Sequence, residues 1–103
     1  MWAQLIKTRL KPGREEGLEK LYSQLRAAEQ PGSGLVRSTA MHDQSDHSSI
    51  YMLVVFESED AARARENEPR RQEALQEARA TMAEIFDGPP EFVDLVVDEE
   101  TNG

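Results

Sequence analysis

An α+β fold, with two helical regions on one face of a four-stranded antiparallel sheet, is what the sequence predicts, and three observations predict it. The first is Ser49 to Glu57, where every residue from Ile50 to Phe56 is apolar or aromatic, so a two-residue period leaves neither face polar. The second is a pair of helical stretches with apolar residues at helical spacing, one before and one after the central hairpin. The third is the order of elements, β-α-β-β-α-β, the split βαβ or ferredoxin-like arrangement in which the first and third strands are central. A strand apolar on both faces requires cover on both. The helices cover one face, and a second copy of the chain is expected to cover the other.

The opening strand is predicted from Trp2 to Leu10, and Lys11-Pro12-Gly13 stops it because Pro removes a donor and Gly permits a tight turn. Arg14 to Glu29 then carries Leu18, Leu21, Tyr22, Leu25 and Ala28 on one helical stripe, with Glu15 and Glu16 complementing the macrodipole and Glu16 placed to pair with Lys20. Gln30-Pro31-Gly32-Ser33-Gly34 ends that helix. Leu35 to His42 is a second, more polar strand in which Arg37 intrudes on the set Leu35, Thr39 and Met41, a pattern that suits a sheet edge. Asp43 to Ser48 is a connector of hairpin length leading into the apolar third strand. Ser58 is the expected N-cap of a helix that Pro69 breaks or restarts, and from Arg70 to Phe86 the stripe is Leu75, Ala78, Met82, Ile85 and Phe86. After Asp87-Gly88-Pro89-Pro90 the last strand runs from Glu91 to Asp98, with Val93, Leu95 and Val97 expected to face the helices and Phe92, Asp94, Val96 and Asp98 the other side. Lys7 and Arg9 on the opening strand would then meet those acids across the sheet. The facing of the third strand is left open by its two apolar sets.

The chain has 103 residues, enough for one domain over 1–98 and a frayed acidic tail over 99–103. It contains no cysteine, which excludes disulfides and thiolate chemistry. The formal charge is −8, and seven acids but no Lys or Arg lie beyond Ala80, so nucleic acid and anionic membrane are not expected partners. No leader is evident at Met1 to Lys7 and no apolar run is long enough to span a bilayer, so a cytoplasmic protein is expected.

Leu10-Lys11-Pro12-Gly13, the amphipathic helix, the Pro-Gly linker, the hairpin, and Val55-Phe56-Glu57-Ser58-Glu59-Asp60-Ala61 running into a helix together resemble the antibiotic biosynthesis monooxygenases, a family of dimeric α+β barrels. The likeness runs from Met1 to about Asp98, with Phe56 at the place of a usual Trp. It implies a homodimer joined through the helix-free sheet face. It also implies a monooxygenase-like protein, working without metal, flavin or other cofactor on a small aromatic or quinone-like metabolite. A non-catalytic dimeric binding or accessory module of the same fold is the alternative. The haem-degrading branch of the family uses an Asn, a Trp and a His, and the matching places here are Ile6, Arg65 and Leu75, so haem degradation is not expected.

A ligand between sheet and helices would be bounded by Tyr22, Met82 and Phe86, with Trp2 and Phe56 closing the ends, because these are the bulky side chains of the inward stripes. The same residues also suit plain core. No acid–base pair is visible on the helix-facing side, so no catalytic group is assigned. His42 and His47 flank a hairpin and would reach one ion, but polar hairpin tips serve solubility, and no metal site is assigned. Arg63, Arg65, Arg70 and Arg71 share their segment with Glu59, Asp60, Glu66, Glu68, Glu73 and Glu77, which reads as a salt-bridged solvated face, with an anion-binding face as the alternative.

Overall fold

In the computed structural model, which describes residues 1–103, β1 (Trp2–Arg9), α1 (Gly17–Ala28), β2 (Leu35–His42), β3 (Ser49–Phe56), α2 (Glu59–Glu66), α3 (Pro69–Ile85) and β4 (Glu91–Val96) follow one another. The strands form one antiparallel sheet in the order β2-β3-β1-β4, so β1 and β3 are central, as their apolar content predicts.

Register decides which residues meet the helices. Trp2 lies opposite Phe56 and Val96, Gln4 opposite Val54 and Asp94, and Ile6 opposite Met52 and Phe92. Residues directly opposite share a face, so the helix side carries Trp2, Gln4, Ile6 and Thr8 with Ile50, Met52, Val54 and Phe56. The third strand is thereby oriented, and the expectation for β4 is overturned. Phe92, Asp94 and Val96 lie on the helix side, while Val93 and Leu95 share the helix-free face with Leu5 and Ala3. Alternation alone did not distinguish the two sets on an edge strand where Phe92 and Val96 are as apolar as Val93 and Leu95; pairing with β1 did. Asp94 consequently never meets Lys7 or Arg9. It accepts from Gln4 Nε2 at 3.0 Å and from Arg63 Nη2 at 3.1 Å, while Lys7 lies opposite Glu91 and Arg9 reaches Asp46 at 3.0 Å.

The intruding Arg37 has a structural cause. A bulge between Leu35 and Arg37 turns Leu35 toward the helices while Arg37, Thr39 and Met41 stay opposite Val55, Leu53 and Tyr51 on the helix-free face. Past β4 the chain stays beside the start of β1, where Val97 N–H donates to the Met1 carbonyl at 3.2 Å, and Glu100 then contacts Arg37 on the far edge. That path crosses the row Leu95, Ala3, Val55, Arg37, and both Ala3 and Val55 are buried although no helix lies over them.

The helix ends follow the local chemistry. Ser58 Oγ accepts from Ala61 N–H at 3.1 Å, and Pro69 occupies the first turn of α3, where its missing donor costs nothing. Glu16 precedes α1 without making an ion pair to Lys20. Gly17 lets the start of α1 approach α3 so closely that a Cβ there would lie 2.5 Å from Ile85 Cγ2. Two apolar clusters result. Leu10 and Ile50 at one end of the sheet pack with Leu21, Ala28, Leu75, Ala78 and Ile85, and Trp2, Val54 and Phe56 at the other end pack with Ala62 of α2. Between these clusters α1 and α3 pack chiefly on each other and stand off from the sheet.

Candidate functional site

The stand-off leaves a cleft of about 890 Å³ between sheet and helices. Its floor is the helix side of the sheet, including Gln4, Ile6, Thr8, Ala40, Met52 and Phe92, and its roof includes Tyr22 and Leu25 from α1, Leu75 and Met82 from α3, and Phe86 just past the end of α3. Trp2 and Phe56 close one end, their ring centroids 6.0 Å apart. All five residues singled out from the sequence, Trp2, Tyr22, Phe56, Met82 and Phe86, therefore line one cavity. Trp2 and Phe56 also belong to the core, at 7% and 3% exposure, so that end is closed by packed side chains.

Burial pushes the Tyr22 phenol above its ordinary value of 10.0, which keeps it protonated, and its hydroxyl makes no hydrogen bond within the chain, so it stands as a free donor. Glu29, just past α1, meets Arg65 of α2 through hydrogen bonds of 2.6 and 3.0 Å to Oε1 and 3.2 Å to Oε2. Burial by itself would raise the Glu29 pKa, yet the hydrogen bonds from Arg65 and Ser33, with the charges of Arg65 and Arg71, hold it below the ordinary carboxylate value. Arg65 lies 5.2 Å from the Phe56 ring centroid, which adds a cation–π contact to the pair. Arg63 lies over Trp2 at 5.1 Å and reaches Glu59, Glu66 and Asp94 at 3.2, 3.0 and 3.1 Å, tying α2 to β4 across the end wall.

The four arginines read together from the sequence thus separate. Arg63 is the salt-bridged residue expected, and Arg70 is exposed. Arg65 pairs with a carboxylate 36 residues away rather than in its own segment, and Arg71 lines the cleft. The Glu29–Arg65 pair escaped the sequence reading because no local spacing signals a contact across that separation. Ile6, Arg65 and Leu75, the places matched to the haem-degrading branch, all line the same cleft. At the hairpin the His42 and His47 rings come within 4.9 Å, edge to face, but no three metal-ligating side chains converge there or elsewhere. Asp43 and Asp46 instead bind the turn itself, Asp43 accepting from Ser45 N–H at 2.7 Å and Asp46 from Ser48 N–H at 3.1 Å.

A ferredoxin-like sheet with a ligand-sized cleft under stand-off helices defines a class of small α+β proteins. Within it, this chain belongs to the antibiotic biosynthesis monooxygenase family, whose sequence profile matches residues 1–78, and this places it among monooxygenase-like proteins. A comparison with curated protein sequences found no match. Among solved structures, the chain is similar to SnoaB, a cofactor-independent oxygenase from Streptomyces nogalater, at 15% identity and a TM-score of 0.74 over 96% of this chain and 94% of that one. It is similar to Rv0793 from Mycobacterium tuberculosis at 14% identity and a TM-score of 0.74, over 98% of each chain. A variant of MhuD holding two manganese protoporphyrin IX molecules per active site aligns over the whole of both chains at 16% identity and a TM-score of 0.81. At these identities the likeness is one of fold. No helix of the chain is long and apolar enough to cross a membrane.

Proposed function

We propose that the chain is a cofactor-independent monooxygenase acting on a small aromatic or quinone-like metabolite held between sheet and helices. The observation that carries this reading is the cleft, whose 890 Å³ fits a small organic molecule and whose walls include Trp2, Tyr22, Phe56, Met82 and Phe86. Aromatic and thioether walls favour flat apolar rings. The protonated Tyr22 hydroxyl suits the oxygen of a quinone or phenol. Oxidation of a reduced ring CH2 to a carbonyl by O2 consumes the two hydrogens and releases one water, so the substrate supplies its own electrons and the balance needs no cofactor. The similarity in fold to SnoaB supports this reading.

The reading includes a homodimer joined through the helix-free face. Leu5 lies there between Leu53 and Val93, beside Leu95, which is 38% exposed, and this apolar row lacks helical cover. A second reading, a non-catalytic binding module, is favoured by one observation: Glu29, the acid of the cleft interior, is held by Arg65 and is a weak base. Incubation with a panel of anthrones and dihydroxynaphthalenes under isotopically labelled O2 separates the two. Label in a carbonyl product, diminished by Tyr22→Phe, is the expected result. Binding without incorporation across the panel would leave the module reading standing.

A further inference from the structure

We infer that the cleft selects an anion: a flat aromatic molecule bearing a carboxylate or an ionised hydroxyl, whose oxygens are taken by the Arg71 guanidinium on α3. This rests on the reading of the cleft as an aromatic-binding site and adds the charge of its occupant. Arg26, Arg65, Arg71 and Arg79 line the cleft against only Glu29 and Glu66, in a chain whose net charge is −8. Both acids are already committed, Glu29 to Arg65 at 2.6 Å and Glu66 to Arg63 at 3.0 Å. Arg71 is half-buried and makes no ion pair. Its guanidinium makes no hydrogen bond within the chain either.

That isolation distinguishes Arg71 from the other unpaired arginines. Arg14, Arg26, Arg70 and Arg79 also make no ion pair, but all four are exposed, and water solvates them. A half-buried guanidinium loses part of its hydration and cannot escape by losing its proton, so the fold carries a charge with no hydrogen-bonded or ion-paired partner. Burial, then the nearby charge of Arg65, depresses the Arg71 pKa, with Glu29 and Glu66 offsetting and Arg79 adding to the effect. An anion entering the cleft supplies the missing partner, and the planar fork of arginine takes a carboxylate through two parallel hydrogen bonds. Arg71 and Leu75 are four residues apart on α3 and both line the cleft, so the charge is presented at the edge of an apolar wall. That arrangement suits a ring with one ionised substituent.

The test uses 2-naphthoate and its neutral near-isostere 2-naphthamide, with binding followed by calorimetry and by quenching of Trp2, the single tryptophan. The parent protein should bind naphthoate about ten- to a hundredfold more tightly than the amide, with the margin shrinking as salt is raised. Arg71→Gln should bring the two affinities within about twofold by weakening naphthoate alone, a change a merely structural role would not produce. Arg71→Lys should keep part of the preference, and Arg70→Gln, a matched loss of charge outside the cleft, should leave it intact. The melting temperature of Arg71→Gln should match or exceed that of the parent, because a desolvated, unpartnered charge has been removed. Equal binding of the two probes by the parent, or an undiminished preference in Arg71→Gln, would overturn the anion assignment while leaving the cleft an aromatic site. Binding of neither probe would overturn both.

Discussion

Glu29→Gln removes the charge that holds Arg65 in the cleft while preserving the shape of the side chain. In the parent, three hydrogen bonds of 2.6, 3.0 and 3.2 Å join the pair, and the two side chains are 16% and 24% exposed for Arg65 and Glu29. Breaking a fully buried pair costs about 3–5 kcal/mol, because the surviving charge is stranded away from water. Residual exposure lets water reach the guanidinium, so the expected loss is about 2–3 kcal/mol. For a domain of this size that corresponds to a fall in Tm of roughly 10–15 °C. Replacing Arg65 with Met in the same chain should recover most of the loss, since no charge is then left without a partner. The effect also has a definite pH dependence. The folded-state pKa of Glu29 is depressed, so its contribution is fully present above the unfolded value near 4.5 and disappears as pH falls through the folded value. Urea unfolding of parent and variant at a series of pH values reads both consequences, and the gap between them should narrow only below about the unfolded value. A gap under about 0.5 kcal/mol at neutral pH, the range of exposed pairs, would refute the assignment of this contact as a partly buried structural pair. So would a gap that fails to narrow on acidification.

Sedimentation equilibrium at micromolar concentration should report about twice 11.6 kDa, and Leu53→Arg should shift the mass toward the monomer by placing an unpaired charge in the apolar row of the helix-free face. Val96→Arg should leave the mass unchanged, because Val96 lies on the helix side and is 76% exposed. Met82→Trp should occupy part of the cleft and weaken aromatic-ligand binding with less than about 1 kcal/mol lost in stability; a loss of about 1–3 kcal/mol with no ligand shift in the parent would mean that the region is packed core. Haem added with a reductant should keep its Soret band, because Ile6, Arg65 and Leu75 supply no axial imidazole or matched amide in the cleft; stoichiometric conversion to an open tetrapyrrole would contradict this. Ser58→Ala should cost about 1 kcal/mol in thermal or urea unfolding by freeing the Ala61 N–H, and no change would show that the cap contributes nothing.

The sequence by itself determined the order of elements, the central place of β1 and β3, the helical stripes and the break at Pro69. These are legible because periodicity, capping hydroxyls and Pro-Gly turns act over a few neighbouring residues. The bulky residues of the cleft were legible for the same reason, since Tyr22, Met82 and Phe86 stand on inward stripes whatever lies beneath them. The tertiary structure alone decided which apolar set of β3 meets the helices, because both sets satisfy the same alternation and only pairing with β1 distinguishes them. It likewise reversed β4, where a one-residue choice of facing moves every side chain to the other side. The bulge after Leu35 depended on cross-strand register, and the cleft depended on α1 and α3 packing on each other more closely than on the sheet. The charge state of that cleft was hidden most deeply. Glu29 and Arg65 come from different helical segments 36 residues apart, and by pairing they leave Arg71 without a partner, an outcome set by three-dimensional distances that no local pattern encodes.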